Sequence, residues 1–195
     1  MITTELIKEL RDKTGVSVMQ CKKALESVGG NIDKALIILK KKGSEIALKK
    51  SDRKIGAGLI STYVHTNGTV GAMIEMVCET DFVARNQEFK NLAYDIAMQV
   101  VAMNPTFLNL EEITEKDKKI ATEVFKEEVK DKPVELQEKI LEGKLNSYFK
   151  DKVLLEQSFI KNPDSTIRTL IESATQKFGE KIEITKFTRF SVLEK

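Results

Sequence analysis

Tryptophan is absent from these 195 residues; histidine occurs once, cysteine twice and proline three times. Each scarcity removes a class of protein. The lone His65 cannot build a histidine metal cluster, and no Ser or Cys is patterned as its nucleophile partner. Cys21 and Cys78 lie inside apolar runs without CxxC spacing, which argues against a disulfide framework and for free buried thiols in a reducing cytoplasm. No apolar stretch is long enough to span a bilayer. The opening MITTELIKELRDKTG carries Glu5 and Glu9 and no apolar core of a secretory or transit peptide, so a cytoplasmic location is expected. Neither GxxxxGK[ST] nor GxGxxG occurs, and Gly56-Ala57-Gly58 precedes a strand pattern where a phosphate cradle would follow one. Glu111-Glu112 and Glu127-Glu128 fall in charged helical stretches and read as solvated faces. With nothing to titrate near neutral pH, the expectation is no enzyme, no cofactor and no bound metal.

What is present is a well-structured composition, 41% hydrophobic and 32% charged. The formal charge of +2 conceals an asymmetry. Residues 1–54 hold 13 Lys or Arg against 7 Asp or Glu, a net of +6, which leaves −4 for residues 55–195. A basic first quarter points to an acidic partner surface, on nucleic acid or on protein. The densest stretch, residues 40–54, has seven Lys or Arg but no aromatics to stack bases, and so reads as a solvated linker without specific nucleic-acid recognition.

Glycines at 15, 29 and 43 separate three short helical patterns. The first has Thr3 or Thr4 as cap and Leu6, Ile7 and Leu10 on one stripe. The second has Ser17 as cap, with Val18, Cys21, Ala24, Leu25 and Val28 inward. The third has Asn31 as cap, buries Ile32, Ala35, Leu36 and Leu39, and ends in lysines near Gly43. These predict an N-terminal three-helix bundle that with its basic linker spans residues 1–54, followed by an α+β core domain over 55–195. In the core, LISTYVHT and TVGAMIEMV flank Asn67-Gly68, the preferred centre of a type I′ hairpin turn. Val70, Ala72, Ile74, Met76 and Cys78 share one strand face. A helix follows with Phe89, Leu92, Ala93, Ile96, Ala97, Val100 and Val101 inward, ended by Asn104-Pro105. Residues 111–150 are sparsely apolar and predict a protruding helical pair, with Thr114 as a cap and Pro133 at a helix start. VLLEQSFI (153–160) predicts a strand, Asp164 or Ser165 to Phe178 a helix stopped at Gly179, and KIEITKFTRFSV a last strand. The sheet is expected to be largely antiparallel and packed by helices.

Two segments are specific beyond composition. LRDKTGVSVMQCKKAL (10–25) and EMVCETDFVARN (75–86) resemble the two signatures of the elongation factor Ts family. EGKLNSYFKDKVLLEQSFIK (142–161) and the closing TKFTRFSV resemble the rest of that family, in order and over essentially the whole chain. The length is similar to the family's short form, which implies a homodimer. The resemblance also implies a ubiquitin-associated-like N-terminal bundle and a translation factor that binds elongation factor Tu·GDP, releases GDP and stays bound until GTP arrives. By the same resemblance Lys8, Arg11, Val18 and Met19 dock the bundle onto the partner's GTPase domain. Thr80, Asp81, Phe82 and Val83 enter that domain and disturb its Mg²⁺ site.

The residues also admit plainer readings. Phe82 can staple the following helix against Phe89 or Leu92, although Val83 can do so instead, and Asp81 can simply satisfy the turn. Arg11 is an ordinary solvated helix residue. Met19 projects about 100° from Val18 and suits an adaptable binding surface. Apolar positions on more than one side of the late elements (Leu154, Leu155, Phe159, Ile160, Phe187, Phe190) suggest burial in a dimer. Two other functions fit the residues alone: a nucleic-acid-binding module using the basic first quarter, and a ubiquitin-associated-type binder of a different protein.

Overall fold

The computed structural model describes residues 2–130 and 133–193. In chain order it contains α1 (Thr4–Thr14), α2 (Val18–Ser27), α3 (Ile32–Lys49), β1 (Ala57–Val64), β2 (Val70–Cys78), α4 (Asp81–Ala84), α5 (Gln87–Met103), α6 (Glu115–Val129), α7 (Val134–Lys152), β3 (Ser158–Phe159), β4 (Asn162–Thr166), α8 (Ile167–Phe178) and β5 (Ile182–Ser191). The class is α+β. Three strands form a sheet in the order β1-β2-β5, and β3 and β4 form a separate antiparallel pair. The hairpin joins β1 and β2 antiparallel. The Val192 N–H bonded to Thr69 O and the Lys181 N–H bonded to Glu79 mark β5 as antiparallel to β2.

The chain divides into two compact units. The first comprises Met1–Ser61, Ile74–Asp95 and Arg168–Thr185; the second comprises Thr62–Met73, Ile96–Ile167 and Lys186–Lys195.

In the first unit the three opening helices form where the caps allow. Thr3, Ser17 and Asn31 each accept a hydrogen bond from a first-turn backbone N–H. Gly15 takes φ +67° after α1 and donates its N–H to Arg11 O. Leu10, Val16, Cys21, Ala24, Leu25, Ala35 and Leu39 make a buried core, flanked by Leu6, Ile7, Val28, Ile32 and Leu36. Two expectations need correcting. Val18 is exposed, and Val16, just before the cap, occupies the core in its place. The third helix does not stop at Gly43 but runs to Lys49, leaving only 50–56 as a link. The reason lies in α8. A Cβ on Gly43 would sit 3.2 Å from Gln176 Oε1 and 3.6 Å from Glu172 O, so the glycine serves close helix–helix approach, not termination. Gln176 Nε2 donates to Gln20 Oε1 at 2.6 Å and Ser44 Oγ donates to Glu172, tying α8 to α2 and α3. Phe89 meets Phe178 edge-on at 6.3 Å.

In the second unit the hairpin turn differs from expectation. Asn67 has no positive φ; only Gly68 does, at +70°. The loop therefore uses a left-handed glycine after an ordinary turn. Asn67 Oδ1 accepts from the Thr69 N–H at 3.1 Å and from its hydroxyl at 2.9 Å, and that local bonding holds the turn. α6 starts on a capping box of Thr114 and Asp117. Its Phe125 packs edge-on against Tyr148 of α7 at 5.6 Å, with Lys144 beside it. The predicted strand over 153–160 is mostly absent. Val153 makes one parallel bridge with Phe107, Leu154–Glu156 form a single 3-10 turn, and only Ser158–Phe159 pair. Residues 162–166 extend against that pair, so α8 begins at Ile167, not at Asp164 or Ser165. A buried amide explains this arrangement. Gln99 donates to Gln157 Oε1 and Ser158 O, both at 3.1 Å, and accepts the Ile160 N–H at 2.9 Å. Of the late apolar residues, Leu154 and Phe159 are buried within the chain, while Ile160 and Phe190 are exposed.

Candidate functional site

Among the described residues no three His, Cys, Asp or Glu are grouped to hold a metal ion, and no helix is long and apolar enough to cross a membrane. His65 is exposed beside the hairpin turn, 3.1 Å from Asn67 Oδ1. The surface with a distinctive build is the corner between β2 and α5.

Cys78 ends β2 fully buried, and its thiol donates to Thr80 O at 3.1 Å. Burial, with the Glu180 carboxylate nearby, pushes the Cys78 thiol above its ordinary pKa, which keeps the proton for that bond. Glu79 holds two elements together. It accepts the Lys181 N–H at 2.6 Å and pairs with Arg53 at 3.2 Å, and these contacts hold its carboxyl below the usual glutamate range. Thr80 then opens the single helical turn α4.

Within that turn the side chains part. Val83 is 4% exposed and Phe82 is 80% exposed. One residue is buried beneath the turn and its neighbour projects into solvent, so Phe82 does not staple the following helix. Asp81 pairs with Arg85 at 2.9 Å, both side chains largely exposed. A pair of that kind contributes about 0–1 kcal/mol and opens readily. Asn86 Oδ1 accepts from the Glu88 N–H at 2.8 Å and caps the next helix. Packing and capping are thus met by Val83 and Asn86, and Asp81 and Phe82 are left without a structural duty that needs their side chains.

The other four candidate residues lie on the bundle. Lys8 and Arg11 are one turn apart on an exposed face of α1, and Val18 and Met19 open α2, with Met19 61% exposed. Thr80–Val83 are contiguous, and they belong to the same compact unit as the bundle. Lys177 of α8 ties the bundle to the start of α5. Its Nζ bonds Glu88 at 2.7 Å in the first turn of α5, and its side chain covers Gly15 between α1 and α2. Sequence reading did not point to Lys177, Glu88 or Glu180, because each acts across a separation that no local pattern encodes.

The sequence family described as Elongation factor TS matches residues 3–194. An elongation factor Ts of Thermodesulfovibrio yellowstonii is 47% identical over 192 residues, covering 98% of this chain and 96% of its own. That of Thermotoga petrophila is 46% identical over 197 residues, covering 99% and 97%. That of Thermosipho melanesiensis is 43% identical over the full length of both chains. A family match from end to end, with relatives near half identity over equal length, leaves one conclusion: the chain belongs to the elongation factor Ts family.

Proposed function

We propose that this chain is a guanine-nucleotide exchange factor for elongation factor Tu, working by protein contact and without covalent chemistry. The bundle docks on the partner's GTPase domain through Lys8, Arg11, Val18 and Met19. The turn Thr80-Asp81-Phe82-Val83 then enters that domain. The observation that carries the reading is the contrast within the turn, Phe82 80% exposed beside Val83 at 4%. An exposed Phe leaves about 2 kcal/mol of burial free energy unused by the fold, and a partner that buries it recovers that amount.

Exchange follows from linkage. A factor that binds the nucleotide-free GTPase more tightly than the GDP form weakens GDP by the same ratio. Phe82 wedges between elements of the partner, and Asp81, released from Arg85, alters the water or hydrogen-bond shell of the partner's Mg²⁺. A divalent ion bridging phosphates is a large local charge, so disturbing its shell loosens GDP. The factor remains bound until GTP enters.

In this reading the chain works in the cytoplasm as a homodimer. The apolar side chains Val64, Met73, Phe190 and Val192 are 62%, 42%, 70% and 72% exposed and line one shallow surface of the second unit. A surface of this kind suits a second copy.

Release of labelled GDP from elongation factor Tu, with and without this chain, tests the function. Acceleration that saturates with factor concentration supports it; no acceleration by a folded chain removes it.

A further inference from the structure

We propose that Glu180 is a positioning residue for exchange: its carboxylate clamps Thr80 and so holds Asp81 and Phe82 in the presenting conformation. The inference rests on the exchange reading and adds a residue that reading does not contain.

A helix N-terminus usually satisfies itself. The cap side chain accepts from a first-turn N–H, and an acidic or amide residue at the third helical position reaches back to the cap N–H. Neither arrangement exists in α4. Thr80 stands at the cap but makes no side-chain cap bond, and the third position is Val83, apolar and buried. Glu180, 100 residues away in sequence, supplies the missing acceptor. Its Oε2 accepts the Thr80 N–H at 3.0 Å and its Oε1 accepts the Thr80 hydroxyl at 2.6 Å. Two bonds from one carboxylate to one residue set orientation as well as position, and charge assistance strengthens both.

This division of labour has a consequence for the presenting side chains. A four-residue helical turn cannot hold itself, because nucleation costs more than its few bonds return. It depends on Val83 below and on its two ends. With the acceptor supplied from outside, the third position is open to the anchor Val83 and the second to Phe82. A capping Glu at the third position would remove that anchor.

Glu180 is itself fixed on both sides. Gly179, at φ +71°, ends α8 with its N–H on Thr175 O, and its carbonyl accepts Lys50 Nζ at 2.7 Å. Lys181 donates its N–H to Glu79 Oε1 and its ammonium to Ser51 O. The carboxylate is therefore carried on a backbone bound both to the link after α3 and to the residue before Thr80. This separates it from the exposed pairs within single helices, such as Lys13 with Glu9, which position nothing else.

The test uses the full chain and GDP-loaded elongation factor Tu, reading the half-saturating factor concentration and the maximal GDP release rate separately. Glu180→Ala is expected to lower the maximal rate about fivefold while leaving the half-saturating concentration unchanged, as for loss of charge-assisted bonds at an accessible site. Glu180→Gln, which can accept the Thr80 N–H and donate to its hydroxyl, restores most of the rate. Thr80→Val removes the hydroxyl bond but keeps the N–H bond, so its loss is smaller than that of Glu180→Ala, and the double variant is no slower than Glu180→Ala alone. An unchanged maximal rate in a folded Glu180→Ala protein, or losses that multiply in the double variant, overturns the proposal. Should Glu180→Ala not fold, Thr80→Ser against Thr80→Val decides it: Ser keeps the hydroxyl and the rate, and equal rates overturn the clamp. A wild-type chain that fails to accelerate release removes the exchange reading itself; one that accelerates it while the variants are unaffected removes only the role of Glu180.

Discussion

Lys177 Nζ lies 2.7 Å from Glu88 Oε1, and the same lysine covers Gly15 in the turn between α1 and α2. One side chain of α8 thereby touches the turn that joins α1 and α2 and the helix that begins just after α4. Gly15 is required there by its backbone. At φ +67° an added Cβ is strained, whereas the 2.8 Å approach to Lys177 Nζ is relieved by moving a flexible chain end. Gly15→Ala should therefore cost about 1–2 kcal/mol, read as a lowered chemical-denaturation midpoint with an unchanged slope.

Val83 and Phe82 should separate in mutagenesis. Val83→Ala removes two methyl groups from a site 4% exposed and should lower stability by about 2 kcal/mol in an equilibrium unfolding measurement. Phe82→Ala, at a site 80% exposed, should stay within about 0.5 kcal/mol of wild type.

The Glu79 network makes stability depend on pH in one direction. Lys181, Arg53 and lesser contacts lower the folded-state pKa of Glu79 below its ordinary 4.5. A carboxyl depressed on folding contributes stability that is fully present above its unfolded pKa and is lost as pH falls through the folded one. Glu79→Gln should thus lower the melting temperature at pH 7, and the gap to wild type should close as pH drops below 4.5. A gap that persists or widens in acid would show that the charge of Glu79 is not the source.

Docking and exchange should divide between residues. Arg11→Ala and Met19→Ala should each raise the half-saturating factor concentration by up to about tenfold, the scale of a single exposed interface contact. The maximal release rate from the saturated complex should be unchanged. Titration of release rate against factor concentration reads both quantities at once.

The parts of the fold that local chemistry determines were legible in the sequence. Thr3, Ser17, Asn31 and Thr114 cap helices, and Gly15 and Gly179 end them in the left-handed region, because caps and terminators act within a few residues. What depended on distant partners was not. Gly43 has the appearance of a stop until α8 is seen against it. Residues 153–160 are apolar enough for a strand, yet Leu154 and Phe159 are buried without a continuous ladder and buried Gln99 sets the local path. Val16 and Val18 differ by two positions and exchange roles because the helix begins between them. At the turn α4, Val83 was readable as the buried alternative to Phe82. Glu180 was not, since an acceptor arriving from 100 residues downstream leaves no mark beside Thr80.

The proposed mechanism requires that Phe82 act on the partner and not on its own fold. It is tested most directly by the GDP release rate from elongation factor Tu saturated with the Phe82→Ala chain. The expected maximal rate is at least about tenfold below wild type, the equivalent of about 1.4 kcal/mol, with the melting temperature little altered. Full acceleration by a normally folded Phe82→Ala chain would contradict it.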